Sequence, residues 1–269
     1  ERSRHHAPVG QRECPPRGLQ PAGLVAPEAS PALPEAASSG ADARVSELER
    51  SLAEGRVPLV LGGDHSIAIG SVAGTSNHFA RQNENIGLIW FDAHGDANTP
   101  ETTPSGNIHG MSLAVSLGLG DPDLVNLGGR APKVMPSNVV LIGCRDLDSG
   151  ERQILKKAGV TVYTMRDIDE RGMHDVVDEA IGIASDSTSG VHLSFDLDVV
   201  DPEDAPGTGT PVWGGITYRE AHLAMEMLSD RAQIVAIDLV EVNPVLDSQN
   251  MTGILAAELA QSVLGKRIL

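Results

Sequence analysis

Six short apolar runs, at 58–61, 86–91, 139–142, 160–163, 191–195 and 234–239, are separated by longer stretches with helical spacing, and this alternation constrains the fold most. Runs that are apolar at nearly every position read as strands buried on both faces, and strands alternating with helices give a parallel sheet covered on two sides. The helical stretches carry Val45, Leu48 and Leu52; Ile154, Leu155 and Ala158; Val176, Val177, Ala180 and Ile181; and Leu255, Leu259 and Val263. Thr217 and Glu220 have the spacing of a capping box opening a helix that runs to Leu228. The expected fold class is α/β, a three-layer α/β/α domain with a mostly parallel central sheet.

Ligands in such sheets collect beyond the carboxyl ends of the strands. There the sequence places Asp64 and His65, the run Asp92-Ala93-His94-Gly95-Asp96, Asp146 and Asp148, the run Asp196-Leu197-Asp198, and Glu241. Extended side chains alternate, so each acid-rich run turns its ligands to one side. So many carboxylates with two or three imidazoles exceed the needs of one structural zinc, and an oxygen-rich set with some nitrogen suits Mn2+ or a similar ion, as a bridged pair. His65 alone, in Gly62-Gly63-Asp64-His65-Ser66, reads equally as part of a glycine turn before a helix; its acidic neighbours make it a ligand candidate. Neither this tract nor Gly118-Leu119-Gly120 has the spacing of a phosphate-cradling loop.

Acidic residues number 37 against 20 lysines and arginines, a net charge of -17, which disfavours a nucleic-acid surface. Two distant cysteines, Cys14 and Cys144, offer no disulfide framework and fit a reducing cytoplasm. No apolar run is long enough to span a bilayer, and the first residues lack the apolar core of a signal peptide, so no membrane partner is expected. Residues 1–41 read as a disordered or atypical segment, with seven of the 17 prolines and no aromatic residue, and residues 42–269 as the catalytic domain.

The tracts Gly62 to Ser66, Asp92 to Pro100, Ser105-Gly106-Asn107-Ile108-His109-Gly110, Ser194 to Asp198 and Gly209-Thr210-Pro211 together resemble the ureohydrolases. The loop from Asn98 to Gly110, the tract from Asp204 to Pro211, and Glu241-Val242-Asn243-Pro244 are similar to bacterial-type arginase. The resemblance implies two Mn2+ per subunit, one held by His65, Asp92, Asp96 and Asp196, the other by His94, Asp92, Asp196 and Asp198. It implies attack of a metal-bridging hydroxide on the guanidinium carbon of L-arginine, giving L-ornithine and urea, with a place in arginine metabolism such as the urea cycle. Asp96 would assist proton transfer, His109 would shuttle protons to solvent, and Glu241 would orient the guanidinium. Asn98, Ser105, Asp148, Glu151 and Thr210 would hold the α-carboxylate and α-amino ends. A homo-oligomer, trimer or hexamer, is implied on the same footing.

Duller readings stand beside these. Asp148 has the spacing to cap a helix near Glu151, Glu241 reads as a strand-end ion-pair partner, and Thr210 as a turn residue. His5, His6, His78, His174, His192 and His222 read as surface or core histidines and Cys144 as a buried apolar residue. Agmatinase, guanidinobutyrase and a metal-binding but catalytically impaired paralogue remain alternatives, with a two-metal phosphoesterase a more distant one. The resemblance covers roughly residues 45–269. Arginases open with a strand and a glycine-rich loop that residues 1–40 do not show, a departure that a truncated or wrongly started reading frame would explain. A gap in the strand ladder and exposed strand edges are therefore expected.

Overall fold

The structure, a computed structural model, describes residues 35–267, with side chains from residue 40 onward. Its strands are β1 (Leu59–Leu61), β2 (Gly87–Phe91), β3 (Val139–Cys144), β4 (Thr161–Thr164), β5 (Val191–Asp196) and β6 (Ile234–Val240). They form one sheet in the order β1-β6-β5-β2-β3-β4, and every pairing is parallel. The helices are α1 (Glu35–Ala53), α2 (Ile67–Ala80), α3 (Ser112–Ser116), α4 (Pro122–Val125), α5 (Ser149–Ala158), α6 (Met165–Arg171), α7 (Met173–Ser185), α8 (Tyr218–Arg231) and α9 (Met251–Val263).

Alternation along the strands sorts side chains into two layers. Ile89, Phe91, Val140, Ile142, Leu193 and Phe195 pack with α6 to α9, through residues such as Val177, Leu228 and Leu259. Leu88, Trp90, Val139 and Leu141 face the other way, onto Val72 of α2, Leu113 of α3 and Leu155 of α5. Every residue of β2, β3 and β5 is buried, as strands covered on both faces require. The three-layer α/β/α expectation is met.

Two details differ from the sequence reading. Helix α1 begins at Glu35, so residues 35–41 are helical rather than unstructured, and the helix is held by close packing on α2. Gly70 and Gly74 permit that approach: a Cβ on Gly74 would lie 2.7 Å from Leu48 Cβ, and one on Gly70 2.9 Å from the Ala41 carbonyl. Residues 1–34, with His5, His6 and Cys14, lie outside the described residues. The ladder has no internal gap among the described residues; β1 stands at its edge, paired with β6 and with Leu61 68% exposed.

The chain runs outward through β2, β3 and β4, then returns to lay β5 on the opposite side of β2. Loops leaving β2 and β5 therefore diverge, opening a crevice at the carboxyl ends of these two central strands. Both acid-rich runs sit there.

Core packing sets the stability of this frame. Leu193→Ala, in the fully buried β5, should lower the unfolding free energy by about 2–5 kcal/mol in urea denaturation. Leu223→Ala, on the partly exposed face of α8, should stay within about 0.5 kcal/mol of the parent.

Candidate metal centre

Asp92 follows the last residue of β2 and is fully buried. Trp90, two residues earlier on the same face, donates from Nε1 to Asp92 Oδ2 at 2.9 Å, and the His94 amide donates to Oδ1 at 2.7 Å. These bonds fix the carboxylate plane. His65, just ahead of α2, stacks on the Trp90 ring at 4.0 Å between centroids and 13° between planes. Its Nε2 lies 2.8 Å from Ser194 Oγ, so Nδ1 faces the acids, with Asp196 Oδ2 at 3.0 Å and Asp92 Oδ2 and Asp96 Oδ2 both at 3.2 Å.

A second group shares Asp92. His94 Nδ1 lies 3.0 Å from Asp198 Oδ2 and 3.4 Å from Asp92 Oδ1. Asp92 thus turns one oxygen to each imidazole. Two ligand sets result, His65, Asp92 and Asp196 on one side and Asp92, His94 and Asp198 on the other, each with its donor atoms within 4.8 Å of one another. The chemistry of the donors fits hard divalent cations, and two buried atoms support that fit: among the described residues His65 Nδ1 and Asp96 Oδ2 make no well-formed hydrogen bond, although they lie 3.2 Å apart.

The electrostatics make the same demand. Burial and the negative charge of Asp92 push the Asp96 carboxyl up to about 7. Burial, then Asp198 and Asp92, raise Asp196, and burial with Asp92 raises Asp198. For Asp92 burial works in the same direction, but hydrogen bonds from His65 and His94 outweigh it and hold this acid well below the usual carboxylate range. Burial opposes a charge on His94, yet Asp198 and Asp92 push it up to about 12. Acids crowded in this way require positive charge among them.

Two residues at the site carry unusual backbone. Asp96 has φ 47° and Glu241 φ 63°, a left-handed region that costs non-glycine residues about 1–3 kcal/mol. Neighbouring bonds hold them there: the Asp96 carbonyl accepts from the amides of Leu113 and Ala114, and the Glu241 amide donates to Gly63.

A cavity of about 210 Å3 adjoins the cluster, with His94, Asp96, Asp196 and Asp198 in its wall beside Asn98, Ser105, His109, Asp148, Glu151, Thr210 and Glu241. Every predicted site residue except the buried His65 and Asp92 therefore lines one space. Glu241 Oε1 accepts from the His65 amide at 2.9 Å and lies 3.3 Å from His109 Nδ1, a contact that raises the His109 pKa. Thr210 Oγ1 donates to Asp198 Oδ2 at 3.2 Å. Asn98 Nδ2 donates to Asp148 Oδ2 at 2.7 Å, and Thr102 Oγ1, donating to Asn98 Oδ1, orients that amide.

The duller reading of Asp148 also holds. Its Oδ1 accepts from the amides of Gly150 and Glu151, while Glu151 Oε2 accepts from the Asp148 amide, a full capping box on α5. Capping leaves Asp148 Oδ2 directed at Asn98 in the cavity wall, so the cap does not remove Asp148 from the cavity. Trp90 and Ser194, which support His65, escaped the sequence reading as functional residues; their place two residues before Asp92 and Asp196 is the signal that marks them. Among the described residues the remaining histidines stand apart, with His192 buried against Asp238 and His174 exposed.

The sequence profile of the Arginase family matches residues 31–265. An arginase of Bacillus subtilis (strain 168) is 57% identical over 231 residues, 86% of this chain and 76% of that protein. An arginase of Bacillus caldovelox is 53% identical over 222 residues, 82% of this chain and 73% of that one. A crystal structure of arginase from Bacillus subtilis superposes with a TM-score of 0.84 at 56% identity, covering 88% of this chain and 82% of its own.

Cations that bind the folded cluster alone must stabilise it by mass action. Mn2+ at a hundred times its dissociation constant should add about 2.7 kcal/mol per independent site, seen as a higher thermal midpoint that EDTA reverses. Asp92→Asn, which weakens both ligand sets, should lose most of that rise in the same melt.

Proposed function

The chain belongs to the arginase family, and on that premise we propose that it hydrolyses L-arginine to L-ornithine and urea with two Mn2+ per subunit. The observation that carries this reading is the position of Asp92, with one oxygen toward His65 and the other toward His94, so that one carboxylate would serve both ligand sets. His65, Asp92, Asp96 and Asp196 would hold one ion, and His94, Asp92, Asp196 and Asp198 the other. Such ions, when bound, lower the pKa of water toward neutrality and stabilise negative charge that develops during attack on the guanidinium carbon.

The protein's own groups do the remainder. Glu241 offers a carboxylate to the planar guanidinium, the partner that cation needs for bidentate hydrogen bonding. Asp96, in the cavity wall with Oδ2 beside His65 Nδ1, is placed to accept a proton from the attacking water and return it to the nitrogen that leaves with ornithine. His109, half-buried in the cavity wall and next to Glu241, exchanges protons with solvent. At the far end Asn98 and Ser105 donate to the α-carboxylate, while Asp148 and Glu151 offer acids to the α-amine, directly or through water. Thr210 joins this second group and touches Asp198. These contacts favour arginine over agmatine, whose missing carboxylate leaves the Asn98 and Ser105 donors unmatched.

We further propose that residues 42–269 form the catalytic domain, that the chain assembles as a trimer or hexamer, and that it works in the cytoplasm without nucleic-acid or membrane partners. The charge of -17 supports the last point, as does the lack of any helix long and apolar enough to cross a membrane among the described residues.

Urea release from arginine and from agmatine, compared in Mn2+, should favour arginine strongly; preference for agmatine would overturn the substrate assignment. His109→Ala should lower kcat by about 100-fold or more while leaving Mn2+ content unchanged.

A further inference from the structure

Arg145, the residue after β3, uses its side chain as a clamp on main-chain carbonyls. Nη2 donates to Asp198 at 2.7 Å and to Val212 at 2.6 Å, Nε donates to Val212 at 3.1 Å, and Nη1 donates to Val199 at 3.0 Å. Longer contacts reach Gly143 at 3.4 Å and Val200 at 3.5 Å. The Arg145 amide donates to the Ala93 carbonyl at 2.9 Å, and the Ala93 amide in turn donates to Asp198 Oδ1 at 3.2 Å. One residue thus joins the ends of β2, β3 and β5 to the loop that carries Thr210, Pro211 and Val212. The nearby Asp201 carboxylate does not take the guanidinium; it accepts from the amides of Gly214 and Gly215 at 2.8 and 3.0 Å, bracing the far side of the same loop.

The chemistry of the clamp is specific to a guanidinium. Five N–H donors in a rigid plane can engage several carbonyls at once and stay charged while partly buried, whereas an ammonium is a point donor on a flexible stem. The carbonyls of Asp198, Val199 and Val200 belong to buried residues at the end of a single 3-10 turn, Leu197–Val199; the Ile216 amide also donates to Val199, at 3.1 Å. Thr210 Oγ1 on Asp198 Oδ2 closes the circuit from the other side.

We propose that Arg145 is a positioning residue that fixes the distance between Asp198 and Thr210, so that one guanidinium sets both a ligand of the second cation and the wall that receives the amino-acid end of the substrate. This rests on the reading of Asp198 as a ligand and Thr210 as a substrate contact. Loosening the clamp acts on His94, Asp92 and Asp198 while leaving His65, Asp92 and Asp196 supported by Trp90 and Ser194. Selectivity between the two sites therefore marks positioning, and an even loss of stability marks a purely structural role.

The test is calorimetric titration of Mn2+ into the full chain, Arg145→Lys, Arg145→Ala and, as a control of matched instability, Leu193→Ala, followed by steady-state urea release. The expected result is two sites in the parent and in Leu193→Ala. In Arg145→Lys one site is unchanged and the other weakens roughly 10- to 100-fold, the usual effect of losing a ligand's support. At saturating Mn2+ the same variant should show a higher KM for arginine with a smaller change in kcat. Should Arg145→Ala fail to fold, Arg145→Lys decides. Two sites of parental affinity with unchanged KM in Arg145→Lys, or equal weakening of both sites, would overturn the proposal. A parent chain with fewer than two Mn2+ sites would overturn the reading beneath it, whatever the variants do.

Discussion

Repulsion among buried acids governs this molecule. Asp92, Asp96, Asp196 and Asp198 meet two imidazoles in a space from which water is almost excluded, each with less than a tenth of its surface exposed. Two unit charges about 4 Å apart at an effective dielectric near 20 interact by about 4 kcal/mol, so a cluster of this size sheds charge by protonation unless cations sit inside it. Burial first and then the neighbouring acids push Asp96, Asp196 and Asp198 upward, while Asp92, in contact with both rings, is pulled down.

The parallel sheet solves the placement problem that this repulsion creates. Because β5 returns beside β2, the two strands deliver Asp92 and Asp196 side by side, with Trp90 and Ser194 one alternation below them to hold His65. Loops then complete the site. Asp96 and Glu241 occupy left-handed backbone braced by surrounding hydrogen bonds, and Arg145 holds the Asp198 turn by its carbonyls. Stability in the two helical layers is what permits this concentration of strain and charge at one end.

All six strands were legible in the sequence within one or two residues, most clearly β2, β3 and β5, where burial on both faces makes a nearly continuous apolar run. The clustering of the candidate ligands was legible for a related reason, since Asp92 and Asp196 mark the point where such a run ends in alternating acids. Other features depend on contacts that local pattern does not carry. The start of α1 before Asp42 depends on glycines in α2 that let the helices approach closely, and α3, α4 and α6 are too short for periodicity to build up. Arg145 reads as an ordinary strand-end cation until the carbonyls it binds, from residues more than fifty positions away, are brought to it. Asp148 shows that the two kinds of reading need not compete: its capping geometry is what aims its second oxygen at Asn98.

Anomalous diffraction at the manganese edge, from crystals of this chain grown with Mn2+, tests the central claim most directly. Two peaks flanking the Asp92 carboxylate are expected, one beside His65 Nδ1 and one beside His94 Nδ1. A single peak, or density away from these imidazoles, would contradict it.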